Sequence, residues 1–139
     1  MQFRSIYVSV FFLSLVQVPA FAENWVLVGP SPSHYTSHYD SASAGRDGVK
    51  AGLVSLTNYV SPQTSSDVAG GSRSYSSQTF FMVFDCSSRE LVGLGNFMWF
   101  SNQWAGGELV FRADGFDTTR RPINAGTANE AQYLVACNR

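Results

Sequence analysis

Alternating apolar and polar positions recur along the chain from residue 24 onward, and they predict a protein built mainly of β-strands. Clusters of Gly, Ser, Pro and Asp, which favour turns, separate these segments. Six strands are predicted, at residues 24–28, 35–40, 49–59, 74–86, 91–100 and 108–112. Most connections are short, so consecutive strands are expected to pair as antiparallel neighbours in a meander. The exception is the Ser/Gly-rich segment 61–74, which predicts a long, mobile loop.

One segment, at the C-terminal end, has the pattern of a helix. Thr127 is followed three residues later by Glu130, the spacing of a capping box, in which each side chain satisfies a backbone amide at the helix N-terminus. The helix is expected to cover residues 128–136, and helical spacing places Cys137 at the edge of its apolar stripe. The chain therefore predicts an α+β fold, a six-stranded antiparallel sheet with one C-terminal helix.

The first residues have the layout of a secretory signal peptide. Arg4 precedes an apolar run at residues 6–16, and the small-residue motif Ala-Phe-Ala follows at 20–22. The run is shorter than the ~20 apolar residues that a transmembrane helix needs, and no later segment approaches that length. We expect residues 1–22 to be removed and residues 23–139 to form one exported domain without stable membrane insertion.

The two cysteines, Cys86 and Cys137, both follow the predicted cleavage site, so they would lie in an oxidising compartment where pairing is the default. They lack the Cys-x-x-Cys spacing of redox and metal sites. By parity, Cys86 shares one face of the fourth predicted strand with the apolar side chains of Phe80, Met82 and Phe84. A disulfide between the two cysteines would hold the terminal helix against that face.

Charge and composition argue against several classes of function. The formal net charge of −1 gives no sign of a basic surface for nucleic acid or anionic lipid. No Gly-x-Ser-x-Gly element occurs, the acidic residues are scattered singly, and only two histidines are present to serve as a base. We therefore predict a protein that is not an enzyme and needs no cofactor.

The two histidines, His34 and His38, are the candidates for a metal site. On a strand they would project to the same face about 13 Å apart, too far for one metal ion, because each residue rises about 3.3 Å. In a turn or a helix they could converge, with Tyr35 and Tyr39 nearby, on a haem or a zinc ion. The plainer interpretation is a polar edge strand whose tyrosines pack inward.

Aromatic residues indicate a surface that needs a cover. In segments 80–84 and 96–100 both strand faces are apolar, whereas a solvent-facing side should alternate with polar residues. A helix of about ten residues is roughly 15 Å long and cannot cover six strands spaced about 4.8 Å apart. Sheet curvature, the loops, a second protomer in a homodimer, or a ligand must cover the remainder.

Three aromatic side chains are the candidate protein-binding residues, namely Trp104, Trp99 and Tyr59. Trp104 lies in the polar, glycine-rich connection 101–107, where a tryptophan lowers solubility unless it has a role. It either folds back over the end of the sheet or serves as an anchor for a partner.

Four stretches of the chain resemble the surface-adhesin protein E family, small exported proteins of Gram-negative bacteria. They are residues 56–59 with Pro62, residues 74–77, residues 84–86 with Arg89, and residues 122–127 together with 130–137. The most specific feature is an Asp-Cys-x-x-Arg element combined with a C-terminal helix that ends in Cys. The resemblance implies a six-stranded antiparallel sheet with the helix held to its concave face by the disulfide. It also implies an adhesin that binds host proteins and forms dimers, located in the periplasm or at the cell surface.

Asp85 and Arg89 flank Cys86 within this element. We expect them to form an ion pair that braces the turn between the fourth and fifth predicted strands. An exposed pair of this kind contributes at most about 1 kcal/mol.

The function predicted from these features is that of an exported binding protein, a surface adhesin that contacts host or envelope proteins. Two alternatives stay open at this point. A periplasmic housekeeping factor, or an inhibitor of a wall-degrading enzyme, would share every feature described above. A small haem or metal carrier would rest on His34 and His38 alone.

Overall fold

The computed structural model describes residues 24–29, 32–66 and 71–139, and the predicted signal peptide lies outside the described residues. In chain order the elements are β1 (Trp25–Leu27), β2 (Tyr35–Asp40), β3 (Gly45–Asp47), β4 (Lys50–Ser65), β5 (Arg73–Asp85), β6 (Glu90–Phe100), β7 (Leu109–Asp117), β8 (Arg121–Pro122) and α1 (Ala128–Cys137). All the strands belong to one sheet, and the α+β class predicted from the sequence is confirmed.

Six strands form the body of the sheet in the order β1-β2-β4-β5-β6-β7, with antiparallel pairing throughout. They correspond to the six predicted strands, so the meander is confirmed. Two short strands have no counterpart among the predicted elements, since β3 pairs with β4 and β8 pairs with β6. Their sequences, Gly-Arg-Asp and Arg-Pro, show no alternation of apolar and polar side chains that could have predicted them.

The β4–β5 hairpin is longer than the sequence pattern indicates. Both strands extend into the predicted loop 61–74, which leaves only residues 66–72 as the connection, so that prediction is wrong in extent. The pairing shifts register after Asn58 and resumes with Gln63 opposite Tyr75. The added strand residues are mostly exposed Ser, Thr, Pro and Gln, and a strand without a buried face shows no apolar alternation.

Helix α1 begins at the predicted capping box. Thr127 Oγ1 accepts a hydrogen bond from the Glu130 amide at 3.2 Å, and the Glu130 carboxylate accepts one from the Gly126 amide at 2.7 Å. The return bond thus comes from the residue before the N-cap rather than from the N-cap amide. Gly126 has a φ of 76°, a left-handed conformation that a residue without Cβ adopts readily.

The main core lies between α1 and the sheet, on the side that we call the helix face. It is formed by Ala51, Leu53, Met82, Phe84, Leu91, Ile123, Tyr133, Ala136 and Cys137. The predicted Cys86–Cys137 disulfide is present and joins the last residue of α1 to the turn after β5. Tyr133 donates a hydrogen bond to the Cys86 carbonyl at 3.1 Å, and its ring meets that of Phe84 edge to face, with centroids 5.9 Å apart.

On the opposite side, which we call the outer face, glycines in β6 allow β7 to approach closely. The ring of Phe116 lies beside Gly93 and Gly95, and it meets the ring of Phe81 with centroids 6.0 Å apart. A Cβ added to Gly95 would lie 2.3 Å from the Gly115 carbonyl oxygen, closer than such atoms can approach. Any larger residue at that position would push β7 away from β6.

Candidate functional site

The two ends of the sheet differ in chemistry. The β5–β6 turn that carries Cys86 marks the disulfide end. The starts of β2 and β5, with the parts of β4 and β6 that pair with them, mark the aromatic end. No Asp, Glu, Lys or Arg occurs in residues 51–66, 74–84 or 91–107, which include nearly all of β4, β5 and β6. The charged residues of these strands therefore lie at the disulfide end, apart from Arg73 at the start of β5.

Arg120 organises the charges at the disulfide end. Its guanidinium lies 2.5 Å from a Glu90 carboxylate oxygen and 3.1 Å from one of Asp85. Asp85 Oδ1 also accepts hydrogen bonds from the Ser87 hydroxyl at 2.6 Å and from the Ser88 amide at 3.1 Å. These bonds, with the Ser87 hydroxyl first, hold the pKa of Asp85 well below its ordinary value, and Arg120 lowers the pKa of Glu90. Both carboxyl groups consequently stay ionised across the physiological range.

Arg89 contacts the helix rather than Asp85, so the predicted Asp85–Arg89 ion pair is wrong. The Arg89 guanidinium lies 3.0 Å from the Glu130 carboxylate and 5.4 Å from the centroid of the Tyr133 ring. Arg89 has a φ of 56° at the end of the turn, while Asp85 is engaged by the turn itself and by Arg120. The two charges flanking the cysteine thus have separate structural partners.

Five aromatic rings form a continuous row across the helix face at the aromatic end, and we call it the aromatic row. The ring centroids are 6.3 Å apart for Tyr35 and Tyr59, 5.6 Å for Tyr59 and Tyr75, 4.5 Å for Tyr75 and Trp99, and 4.4 Å for Trp99 and Phe111. The row crosses β2, β4, β5, β6 and β7, and each of its side chains is half-buried. It therefore offers a wide apolar surface on rigid strands.

Strand register assembles the row from distant parts of the chain. Tyr35 lies opposite Tyr59, and Trp99 lies opposite Phe111, so each pair shares a face. Tyr75 reaches Tyr59 where β4 shifts register. Of these residues, sequence reasoning identified Tyr59 and Trp99 and missed the other three. The available signals were the alternation around Tyr35 and the position of Tyr75 in a segment shared with the family.

The row carries no charge at physiological pH. Burial raises the pKa of Tyr59 to about 12, and the neighbouring Tyr75 and Tyr35 add to the effect. The indole Nε1 of Trp99 is buried, and no acceptor for it occurs among the described residues. Contacts with this surface must then depend on shape, apolar area and neutral hydrogen bonds rather than on ion pairing.

Beside the row, a groove of about 280 Å³ opens between the sheet and the first turn of α1, and we call it the polar groove. It is lined by Tyr35, Ser37, Ser55, Thr57, Tyr59, Gln78, Phe80, Ala128, Asn129 and Gln132. The buried Gln132 amide donates a hydrogen bond to Ser55 Oγ at 2.6 Å, which ties α1 to β4. The groove and the row share Tyr35 and Tyr59, so they form one continuous surface.

Trp104, the third predicted binding residue, lies on the outer face. Its ring meets that of His38 with centroids 4.7 Å apart, and its amide donates to Asn58 Oδ1 at 2.7 Å. The Ser77 hydroxyl donates to the Asn102 carbonyl at 2.6 Å, which holds the same loop on the sheet. Trp104 thus folds back over the sheet end, as one of the two interpretations expected, yet 47% of it stays exposed. The structure separates it from the row.

The two histidines occupy different environments. His34 lies in the turn before β2, where its ring contacts Tyr35 at 4.8 Å, whereas His38 is buried within β2 beneath Trp104. β2 pairs with both β1 and β4, so the predicted edge strand is wrong. Burial lowers the pKa of His38, and its Nδ1 has no partner among the described residues.

Residues 24–29, 32–66 and 71–139 contain no group of three His, Cys, Asp or Glu side chains arranged to hold a metal ion. They also contain no helix that is long and apolar enough to span a membrane.

Fold and surface together define a class: a small antiparallel meander whose C-terminal helix is tied to one face by a disulfide and leaves the other end of that face uncovered. The model of the surface-adhesin protein E family matches residues 25–138. The chain belongs to this family, and membership implies an exported or surface location.

Solved structures agree on the fold. The chain is similar to the structure of Haemophilus influenzae protein E with a TM-score of 0.58 and 13% identity, over 83% of this chain and 84% of that one. A second crystal form of that protein matches with a TM-score of 0.58 and 13% identity, over 83% of this chain and 87% of that one. Its selenomethionine form matches with a TM-score of 0.53 and 14% identity, over 81% of this chain and 92% of that one. No curated protein was found to match the chain.

Proposed function

We propose that this protein is an exported, non-enzymatic surface adhesin that contacts a host or envelope protein through the aromatic row. The observation that carries the proposal is that α1 packs over the disulfide end and leaves five adjoining rings, from Tyr35 to Phe111, half-exposed on the same face. Membership of the surface-adhesin family supports the general activity.

The row has the physical properties of a recognition surface. Tyrosine and tryptophan supply large contact areas with few rotatable bonds, so fixing them against a partner has a small entropic cost. The stacking of Tyr75 on Trp99, at 16° between ring planes, restricts these side chains further before any partner arrives. Such preorganised aromatic side chains are typical of the residues that dominate binding energy.

Export is part of the same proposal. The features of a signal peptide in residues 1–22 support it, as does the Cys86–Cys137 disulfide, which suits an oxidising compartment. Mass spectrometry of the protein recovered outside the cytoplasm should give a chain that begins at Glu23. A chain that retains Met1 there would contradict cleavage.

Purified mature protein can test the surface directly. Trp99→Ala and Tyr59→Ala are expected to weaken binding to immobilised host matrix proteins or envelope proteins about tenfold or more, since both remove anchors from the row. Trp104→Ala is the matched control, because that tryptophan is half-exposed on the outer face.

Far-UV circular dichroism must show that each variant keeps its fold. Equal binding by all three variants would overturn the assignment of the row. Loss of binding with Trp104→Ala alone would place the site on the outer face. Sedimentation analysis would show whether a second copy of the chain occupies the row.

A further inference from the structure

We propose that the polar groove, with the adjoining aromatic row, binds a neutral saccharide chain, such as a glycan carried by a partner protein. This inference rests on the proposed adhesin function and deepens it by naming the chemical class of the ligand. Three properties of the groove lead to it: its charge, its free hydrogen-bonding groups and its aromatic walls.

The first property is the absence of charge. None of the ten residues that line the groove is Asp, Glu, Lys, Arg or His. A charged ligand would lose its hydration here without meeting an opposite charge, which is unfavourable. Sulfated or phosphorylated ligands and acidic or basic peptide segments therefore do not fit, whereas a neutral ligand does.

The second property is a set of hydroxyl and amide side chains without partners. Ser37, Thr57, Gln78 and Asn129 line the groove, and none of them makes a side-chain hydrogen bond within the described residues. Ser37 and Thr57 are nevertheless buried, with 6% and 7% of their surface exposed. Covering these groups with a purely apolar partner would leave them unsatisfied.

A sugar satisfies such groups well. Serine and threonine hydroxyls both donate and accept hydrogen bonds, and the amides of Gln78 and Asn129 do the same through separate atoms. The hydroxyl groups of a sugar have the same dual capacity. The groove thus matches a ligand that is rich in hydroxyl groups and carries no charge.

The third property is the aromatic wall, which suits the apolar C–H face of a sugar ring. Phe97 stacks on Phe80 with centroids 5.4 Å apart, which fixes the Phe80 ring at the groove. Tyr59 meets Tyr75 and Tyr35 at 83° and 63° between ring planes, so neither neighbour lies parallel over it.

The size of the groove sets the scale of the ligand. Its volume of about 280 Å³ lies just below the usual range for ligand pockets, roughly 300–1,000 Å³. It therefore suits one sugar ring at a time. Further rings of a chain would lie along the aromatic row, which continues from Tyr59 towards Phe111.

Calorimetric titration of the full mature protein with neutral trisaccharides tests the inference, with chitotriose and cellotriose as probes and a chondroitin sulfate tetrasaccharide as the charged comparison. We expect saturable binding of at least one neutral probe, no binding of the charged one, and little change in Kd between 50 mM and 500 mM NaCl. The absence of binding by either neutral probe at millimolar concentration, or binding of the charged probe alone, would overturn the inference.

Matched variants localise the binding. Asn129→Ala and Gln78→Ala should each raise the Kd for the neutral probe about tenfold, because each removes a hydrogen-bonding group from the groove. Asn124→Ala is the control, since that exposed asparagine precedes α1 and does not line the groove. Equal affinities for Asn129→Ala, Gln78→Ala and the control would place any saccharide elsewhere and overturn the assignment.

The two proposals can fail separately. One outcome is that the wild type binds a partner protein equally well before and after enzymatic deglycosylation of that partner, with Trp99→Ala and Tyr59→Ala abolishing both interactions. In that case the row is an adhesin surface and the saccharide inference is wrong. If neutral trisaccharides bind at the groove but row variants leave partner binding unchanged, the saccharide site stands and the adhesin assignment fails.

Discussion

The disulfide end and the aromatic end of one sheet are stabilised in different ways. At the disulfide end, α1 covers Leu53, Met82 and Phe84, the chain is cross-linked, and ion pairs around Arg120 lie outside the core. At the aromatic end, α1 leaves the helix face open, and five half-buried rings contact one another there. The same strands thus run from a closed core to an open apolar surface.

The residues that stabilise the fold and the residues proposed to bind a partner therefore lie at opposite ends of the same strands. A core that is complete at one end allows the other end to retain apolar rings in contact with solvent, where they contribute less to folding. Binding residues are commonly displayed by a rigid scaffold in this way. Substitutions at the disulfide end should therefore affect mainly stability, and substitutions in the aromatic row should affect mainly binding.

The largest loss of stability is expected from Cys137→Ser. The disulfide links residues with a sequence separation of 51, and the chain-entropy model gives about 4 kcal/mol for a loop of that length. Cys137 also belongs to the main core. The free energy of unfolding, measured by urea denaturation with circular dichroism, should therefore fall by about 4 kcal/mol.

Reduced wild-type protein is the control for this variant and should show the same loss. An unchanged denaturation midpoint in both samples would mean that packing alone secures the helix and that the cross-link does not stabilise the disulfide end.

A matched pair of truncations compares the two ends directly. Leu53→Ala removes a fully buried side chain from the main core and should lower the free energy of unfolding by about 3 kcal/mol. Tyr75→Leu removes one ring of the aromatic row and should lower it by about 1 kcal/mol. Equal losses would indicate that the row is part of the core rather than a surface.

Local patterns predicted the larger features of the fold because those features repeat within a few residues. Alternation located the six strands that form the body of the sheet, and the Thr127–Glu130 spacing located the helix. The cysteine count and the expected compartment predicted the disulfide. Each of these signals lies within one segment or depends on composition alone.

The candidate site was only partly predictable, because it depends on which strands are neighbours and in which register. Tyr75 joins the row through a register shift in β4 that no local pattern reveals. Trp104 is adjacent to the row in sequence but lies on the other face, since its loop folds over β4 and β5. The partner of Arg89 likewise comes from α1, far along the chain.

A smaller, pH-dependent effect is expected from His38. Burial lowers its pKa in the folded state, so the unfolded chain binds the proton more readily, and stability must fall as the pH drops below the unfolded value of about 6.5. Carboxyl groups with lowered pKa values, such as Asp117 at about 2, lose their contribution only at more acidic pH.

Thermal unfolding at pH 7.5 and pH 5.5 can check this effect. The melting temperature of the wild type should be lower at pH 5.5 than at pH 7.5, and this decrease should be smaller in His38→Gln. The exposed His34→Gln variant serves as the control and should behave like the wild type. An identical pH response in His38→Gln and the wild type would contradict the assignment.

The smallest effect is expected from Arg120→Ala. This residue joins Asp85 and Glu90, but its own side chain is 53% exposed, so solvent weakens both ion pairs. The denaturation midpoint should fall slightly at low ionic strength, and the difference should disappear at about 1 M salt, where the screening length is about 3 Å. A loss as large as that of Leu53→Ala would show that these charges support the core.

Adhesion of whole cells that display the protein, at matched surface levels and with variants at each end, tests the aromatic row most directly. Trp99→Ala and Tyr59→Ala should reduce adhesion about tenfold or more, whereas Arg120→Ala should leave it unchanged. If Arg120→Ala abolished adhesion and the row variants retained it, the charged disulfide end would be the binding surface, and the aromatic row would not be.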